Sequence, residues 1–419
     1  MPSGIDRVEL AYARHFLAQS AERVTFMQRG MLGQMSIVPP QLVAELVDAV
    51  TQLWQDETER PETLARARRL ARSTLGRQWI GAGNGQIAQA LRGPEPQIHL
   101  LVSHRLIEKP GMIAALKRQG ALFVPLVHDL IPATYPEYAP PESAARHVRR
   151  IEAIAALADG IITNSAATAA ALSAHLPEGQ ARPPVLVAPL GVEQVTPDAS
   201  FPLPDRPYFV CLGTIEPRKN HLLLLNIWRD LANKLGPSAP RLILIGRRGW
   251  ENENVIDMLE RCTVLRGLVR EYADLSDSAV AALLKGAQAL LFPSFAEGYG
   301  LPLAEALALG LPAICSDLPA LREVGGEAPE YLDPLDGIAW RRLILHFTET
   351  ENRVRAAQLR RMAEWDAPRW ADHFALVDPM LRHIADGRGA AQRKTALAQD
   401  PVAFLRPNPP LAPSPLQRR

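Results

Sequence analysis

Pro293–Asp317 reads PSFAEGYGLPLAEALALGLPAICSD, the punctuation of a buried strand delivering the chain into a helix. The apolar run Leu290–Pro293 ends at a proline. The glycine-bearing loop Glu297-Gly298-Tyr299-Gly300 follows, then a helical pattern over Leu301–Leu309 and a second apolar strand at Ala313–Ser316. Pro302 suits a first helical turn, where the N–H it lacks would have no partner. The N–H groups of the glycine loop and first turn therefore converge, with the positive end of the helix dipole behind them. That arrangement suits a diphosphate. Glu297 stands before the helix and Glu305 about one turn into it, so the two carboxylates can flank such a ligand. Carboxylates accept hydrogen bonds from sugar hydroxyls, two at a time where the hydroxyls are vicinal.

Working outward, the same alternation repeats. Strands at Tyr208–Leu212, Arg241–Ile245 and Val264–Leu268 alternate with helices at Leu222–Leu235, Asn254–Cys262 and Asp277–Gly286. This is the pattern of a doubly wound parallel sheet, whose ligand sits at the carboxyl ends of the strands. Gly191–Pro207 is proline-rich and aperiodic and reads as a linker. Before it, strands at Ile98–Ser103, Leu122–His128, Gly160–Thr163 and Val185–Pro189 form a second α/β half. Helical spacing over Val8–Gln19, Gln41–Trp54 and Ala144–Ala158 accompanies them. Two cores are what a chain of 419 residues is expected to need.

Composition narrows the class. Lys plus Arg is 46 against 45 for Asp plus Glu, so no global field points to nucleic acid. Cys211, Cys262 and Cys315 are odd in number and widely spaced, which reads as small apolar residues of a reducing compartment. The opening residues carry charges and no apolar leader, and no run reaches the roughly 20 residues of a membrane span. The expected location is cytoplasmic, with peripheral attachment to the inner membrane face as an extension. That extension rests on Arg60, Arg66, Arg68, Arg69, Arg72 and Arg77, interleaved with Leu64, Leu70 and Leu75, which suit an anionic membrane surface or a solvated basic helix. Gly81-Ala82-Gly83-Asn84-Gly85 lacks a preceding strand and reads as a flexible loop.

The segment EGYGLPLAE, with Glu297 and Glu305, resembles the paired-glutamate motif of the retaining glycosyltransferase family four. The resemblance extends through FVCLGTIEPRKNHLLLL upstream and SDLPALREVGGEAPEYLDPLD downstream, and in the first half includes HDLIP at His128 and TNSAAT at Thr163–Thr168. It implies two Rossmann-like α/β domains facing across a cleft, the GT-B arrangement. Residues 1–192 would bind the acceptor, 193–206 would link, and 207–365 would bind a nucleotide-sugar. A helix over 366–386 would pack back on the first domain, and 387–419, rich in prolines and small residues, would be a disordered tail. The implied activity is metal-independent transfer of a mannose- or glucose-type hexose from GDP-mannose or a UDP-hexose. The acceptor would be a glycan or lipid-linked oligosaccharide.

Roles follow residue by residue from the resemblance. Lys219 neutralises the departing diphosphate, an electrostatic contribution of the kind that dominates many reactions. Arg218 stands beside it, and Thr214 replaces the arginine that the family often carries after the strand-ending Gly213. Glu297 lies near the transferred sugar, Glu305 holds the ribose, Gly300 and Leu301 give backbone N–H groups to the phosphates, and Gly298 belongs to the same donor site. His128 faces the sugar from the first domain, with Asp129 orienting its ring or capping the next turn. Gly4 and Ser165 form the acceptor side, Ser165 reading equally as a helix cap. No residue stands out as a covalent nucleophile, and no Asp-x-Asp pair or histidine cluster is present to hold a metal. Only Met1 and Pro2 precede the Ser3–Arg7 loop, so the first domain is expected to lack its opening strand, leaving a hole in its sheet. A catalytically silent glycan-binding relative and a sugar-nucleotide epimerase on the same scaffold are the alternatives.

Overall fold

A computed structural model describes residues 2–19, 23–29, 35–55, 60–79, 83–93, 95–176, 182–349 and 352–387. Ser3 starts the helix Gly4–Leu17 with a capping box: its hydroxyl accepts from the Asp6 N–H, and the Asp6 carboxylate accepts from the Ser3 N–H. Val8, Ala11 and Tyr12 form the buried face of this helix. A hairpin of β1 (Phe26–Arg29) and β2 (Met35–Val38), which the sequence reading did not anticipate, follows as a separate antiparallel pair.

The first parallel sheet contains β3 (Ile98–Leu101), β4 (Leu122–Val127), β5 (Ile161–Thr163) and β6 (Val185–Val187), in that spatial order. Every residue of β4 is buried, as expected for a strand covered on both faces. No strand precedes the helix Gly4–Leu17 among the described residues. The expected hole is nevertheless not there, because β3 pairs directly with β4 from Ile98↔Leu122 to Leu101↔Pro125. Instead β3 is the open edge, and its residues are half-buried.

The second sheet has six strands: β7 (Tyr208–Leu212), β8 (Arg241–Ile245), β9 (Val269–Tyr272), β10 (Leu290–Phe292), β11 (Ala313–Ser316) and β12 (Glu330–Leu332). Their spatial order is β12-β11-β10-β7-β8-β9, all parallel. The chain winds outward from β7 through β8 to β9, then returns to β10 and winds the other way. The direction reverses between β7 and β10, and the carboxyl ends of such a pair are where a doubly wound sheet forms its binding crevice. Trp228 and Trp340 fill the core on one face of this sheet.

Two local expectations are corrected. The strand expected at Val264–Leu268 is a short 3-10 turn, Thr263–Leu265, and pairing begins only at Val269. Gly267, at φ 77°, turns the chain between the two, and the real strand is the charged sheet edge Val-Arg-Glu-Tyr. Within the expected glycine loop, Gly83 precedes the helix Asn84–Arg92, so Asn84 and Gly85 are helical; Gly81 and Ala82 lie outside the described residues. The arginine stretch forms the helix Arg60–Trp79, with Leu75 half exposed; the side chains of Arg60 and Arg77 lie outside the description. No helix among the described residues is long and apolar enough to cross a membrane. Residues 388–419 are likewise outside the description.

The helix Trp370–Asp386 returns to the first sheet. His373 holds the Tyr12 hydroxyl at 2.8 Å through Nε2 and the Pro189 carbonyl at 3.0 Å through Nδ1. The His15 ring stacks on Phe374 with centroids 3.7 Å apart.

Candidate active site

The loops leaving β7 and β10 supply the two halves of a buried charge cluster. After Leu212 the chain passes Gly213 and enters the turn Pro217–Lys219; after Phe292 it runs through Ser294 and Phe295 to Glu297. A backbone hydrogen bond from the Phe295 N–H to the Arg218 carbonyl, 2.7 Å, fastens the loops together. Across this junction Lys219 Nζ lies 2.6 Å from Glu297 Oε1, and Arg218 Nη1 lies 3.0 Å from Glu297 Oε2. Arg218 Nε also lies 2.6 Å from Glu216 Oε1. The Lys219 and Glu297 side chains are each only 7% exposed, so little water screens the pair. Burial would lift the Glu297 carboxyl, but Arg218 and Lys219 outweigh it and hold it down at about 2. The Lys219 ammonium also sits 4.5 Å from the centroid of the Phe292 ring.

Beyond Glu297 the loop presses on the first domain. A side chain at Gly298 would place its Cβ 2.2 Å from the His128 carbonyl oxygen, so only glycine permits this approach. The Gly298 carbonyl accepts from the Ser165 hydroxyl at 2.6 Å and the Thr168 hydroxyl at 3.1 Å. Ser165 also caps the helix Ala166–Ser173 by accepting from the Thr168 N–H, the cap that was one of its two readings. Glu323 reaches across from the second domain and accepts from the Ala166 and Ala167 N–H groups at 2.6 and 2.7 Å.

Gly300, at φ 107°, introduces the helix Leu301–Ala308. The Gly300 carbonyl takes the N–H groups of Leu303 and Ala304, Pro302 has none, and the Leu301 N–H has no partner among the described residues. Glu305 points back toward the first domain. Its Oε1 lies 3.7 Å from Arg7 Nε, and Arg7 also makes a two-point contact with Asp277 at 2.6 and 2.9 Å. Burial raises the Glu305 carboxyl, Arg7 opposes that, and Asp277 adds to it. Gly4 meets Leu301, since a Cβ on it would lie 3.3 Å from Leu301 Cδ1. Gly4, Leu301 and Glu305 therefore share one corner of the crevice.

His128 sits where expected, at the end of β4, but its ring is turned inward. Nε2 is 2.7 Å from the Val102 carbonyl oxygen, and burial lowers its basicity despite that carbonyl and Asp129. It is the His128 carbonyl that faces the Glu297 loop, and it also accepts from Asn164 Nδ2 at 2.9 Å. Asp129 does not hold the His128 ring; it accepts from the Ile131 N–H at 3.0 Å, which caps the next turn. Thr214 packs beneath the loop after β8, where a Cβ at Gly249 would fall 2.8 Å from its methyl carbon. The sequence reading missed Arg7, Asp277, Glu216 and Glu323. A signal existed for Arg7: a cation in a first helical turn opposes the helix dipole, and an acidic partner offsets that cost.

Residues 196–330 match the family model described as Glycosyl transferases group 1. The match takes in strands β7 to β11 and ends at the start of β12, so it includes Arg218, Lys219, Glu297 and Glu305. The chain is 39% identical over 129 residues to O-antigen chain mannosyltransferase B of Escherichia coli, covering 31% of this chain and 33% of that protein. It is 29% identical over 252 residues to the serotype-specific mannosyltransferase WbdA of Escherichia coli, covering 55% of this chain and 30% of that protein. The chain thus spans about a third of the length of these curated relatives. In three dimensions it is similar to the sucrose-phosphate synthase of Thermosynechococcus elongatus, with a TM-score of 0.55 and 16% identity over 90% of this chain and 92% of that one. The Anabaena protein HepE, solved in complex with UDP, superposes with a TM-score of 0.52 at 13% identity over 71% of this chain and 81% of that one. These likenesses show the GT-B arrangement, with the matched residues 196–330 in its second half.

Proposed function

We propose that this chain is a retaining, metal-independent glycosyltransferase that moves a mannose- or glucose-type hexose from a nucleoside-diphosphate sugar to a glycan or lipid-linked oligosaccharide. The observation that carries this reading is the Lys219–Glu297–Arg218 cluster at the reversal point of a group 1 domain. The named mannosyltransferase relatives favour a hexose donor such as GDP-mannose, with a UDP-hexose as the other choice. The donor diphosphate would lie against the Gly300 and Leu301 N–H groups and the Lys219 ammonium. Glu305 would take the ribose hydroxyls, and Glu297 and Gly298 would border the transferred sugar, with Gly213 beneath the phosphates.

Transfer breaks the bond between the sugar anomeric carbon and the diphosphate oxygen, and forms a bond from that carbon to an acceptor oxygen on the same face. The acceptor proton passes to the departing phosphate oxygen, so the protein need supply no covalent nucleophile. Lys219 and Arg218 stabilise the charge that grows on the leaving group, at fixed positions and with little water between. Gly4, His128 and Ser165 would border the acceptor from the first domain.

Titration with GDP and UDP, followed by product analysis with GDP-mannose and UDP-glucose, tests the proposal. One nucleotide should bind at sub-millimolar affinity, and the Lys219→Met variant should bind it far more weakly. Failure of both nucleotides to bind the unaltered protein would sink the proposal.

A further inference from the structure

Aromatic side chains from three separate segments meet at the seam between the domains. Tyr138, on the short helical turn Pro136–Tyr138 that follows the His128 strand end, stacks on Phe295 with centroids 5.7 Å apart and planes at 8°. Phe295 belongs to the loop that carries Glu297. Tyr135 lies 5.9 Å from Tyr138, tilted by 34°. Trp250, in the loop after β8, crosses the seam to donate its indole N–H to the Tyr138 carbonyl at 3.0 Å. The group thus extends from beside the donor loop out to the surface, where Tyr135 and Trp250 each remain 41% exposed.

Sealing the seam is the simplest use of such rings, and Phe295 and Tyr138, half-buried and face to face, serve it. It does not account for Tyr135 and Trp250. Rings that exist only to exclude water are driven to bury their surface, and these two keep a large share of theirs in solvent. Nor is Trp250 a loose surface residue: its hydrogen bond pins the indole nitrogen and leaves ring surface available to a ligand. Rigid rings with one apolar face and one polar edge suit a pyranose, whose C–H face stacks while its hydroxyls stay solvated. A flat protein partner would be expected to demand a larger apolar patch than two separated rings provide.

We infer that Tyr135, Tyr138, Phe295 and Trp250 form a shelf that stacks pyranose rings of the glycan acceptor behind the sugar whose hydroxyl reacts. That the glycan is the acceptor rests on the transferase reading above; that a glycan binds there does not. Phe295 stands on the loop that places Glu297, and Tyr135 and Tyr138 stand on the segment that follows His128, so the shelf adjoins both sides of the reaction site.

Isothermal titration of α- and β-linked manno-, gluco- and galacto-oligosaccharides into the full chain tests the inference, with GDP and UDP titrated into the same proteins. At least one oligosaccharide should bind. Trp250→Ala and Tyr135→Ala should each weaken it about tenfold, the size of one ring-stacking contact, while Trp250→Phe keeps most of the affinity. Nucleotide affinity should stay unchanged in all three variants. The shelf is refuted if no oligosaccharide binds the unaltered protein below about 10 mM, or if both alanine variants bind it normally. It is refuted too if nucleotide and oligosaccharide affinities fall together, because the rings would then be holding the domains. Trp250-dependent oligosaccharide binding in a protein that binds no nucleotide would uphold the shelf and overturn the transferase reading.

Discussion

Replacing Lys219 by methionine keeps the length of the side chain and deletes its charge. Glu297 is then left 7% exposed, with Arg218 at 3.0 Å as its remaining ion-pair partner. Deleting one partner of a buried ion pair costs about 3–5 kcal/mol, because the other charge loses its compensation. Arg218 keeps part of that compensation, which places the expected loss near the lower end, at about 3 kcal/mol. Glu297→Gln orphans the buried ammonium and should cost a similar amount. The double variant leaves neither charge stranded, so its loss should fall about 2–3 kcal/mol short of the sum of the two. Urea unfolding followed by tryptophan fluorescence reads this directly, since Trp228 and Trp340 are wholly buried in the same domain. Each single variant should move the midpoint down by about 1–2 M, and the double variant should lie within about 0.5 M of the worse single one. Additive losses, with a coupling below about 0.5 kcal/mol, would refute the idea of a coupled pair. Should the coupling hold while nucleotide binding is untouched in Lys219→Met, the cluster is structural and the proposed donor role falls.

Three further outcomes are expected. Gly298→Ala puts a methyl 2.2 Å from the His128 carbonyl oxygen, so the seam must shift; transfer should fall at least about tenfold while circular dichroism stays native, and unimpaired turnover would contradict the close approach. Arg7→Met removes a two-point contact to Asp277 and the nearby charge at Glu305; stability should drop by about 1.5–3 kcal/mol in urea unfolding, and a change under 0.5 would show that the contact is idle. The third concerns acid. Burial, with Lys219 adding to it, lowers His221 to about 3. Its unfolded value is about 6.5, so the unfolded chain binds the extra proton and stability is lost as pH falls below 6.5, by about 2 kcal/mol at pH 5. Glu297, held down at about 2, withdraws its own contribution as pH falls from about 4.5 toward 2. His221→Phe should flatten the melting temperature between pH 7 and 5, and an unchanged slope there would assign the loss to other groups.

What could be read from the sequence was what is encoded by neighbours. Leu290–Pro293, the glycine loop and Pro302 are local punctuation, and the strand and helix found there start where the reading put them and end one residue earlier. Most of the second sheet followed for the same reason; the exceptions are its two edges, β12, which the reading left unassigned, and Val264–Leu268, where an apolar run is interrupted by Gly267 and the strand beyond it is too charged to resemble a core strand. The hairpin Phe26–Val38 is short and carries no alternation strong enough to announce it. Contacts across the domain seam were out of reach. Arg7 with Asp277, Glu323 with the helix Ala166–Ser173, and the His128 carbonyl with Gly298 depend on elements far apart in the chain. The inward turn of the His128 ring is of this kind as well, because it is set by a carbonyl on a neighbouring segment.

The order of strands in the second sheet has a consequence for how the site comes into being. Lys219 and Glu297 are 78 positions apart, and the strands that bring them together, β7 and β10, become neighbours only after β8 and β9 have been laid down on the other side of β7. Closing so long a loop is entropically costly and slow compared with forming any single helix. During synthesis, β7 therefore waits with one flank unpaired until residues near Leu290 leave the ribosome. Until then Lys219 has no Glu297 to meet, and the half-built sheet exposes an apolar edge of the sort that recruits other chains. Assembly of the charge cluster thus marks the moment at which β7 gains its second neighbour.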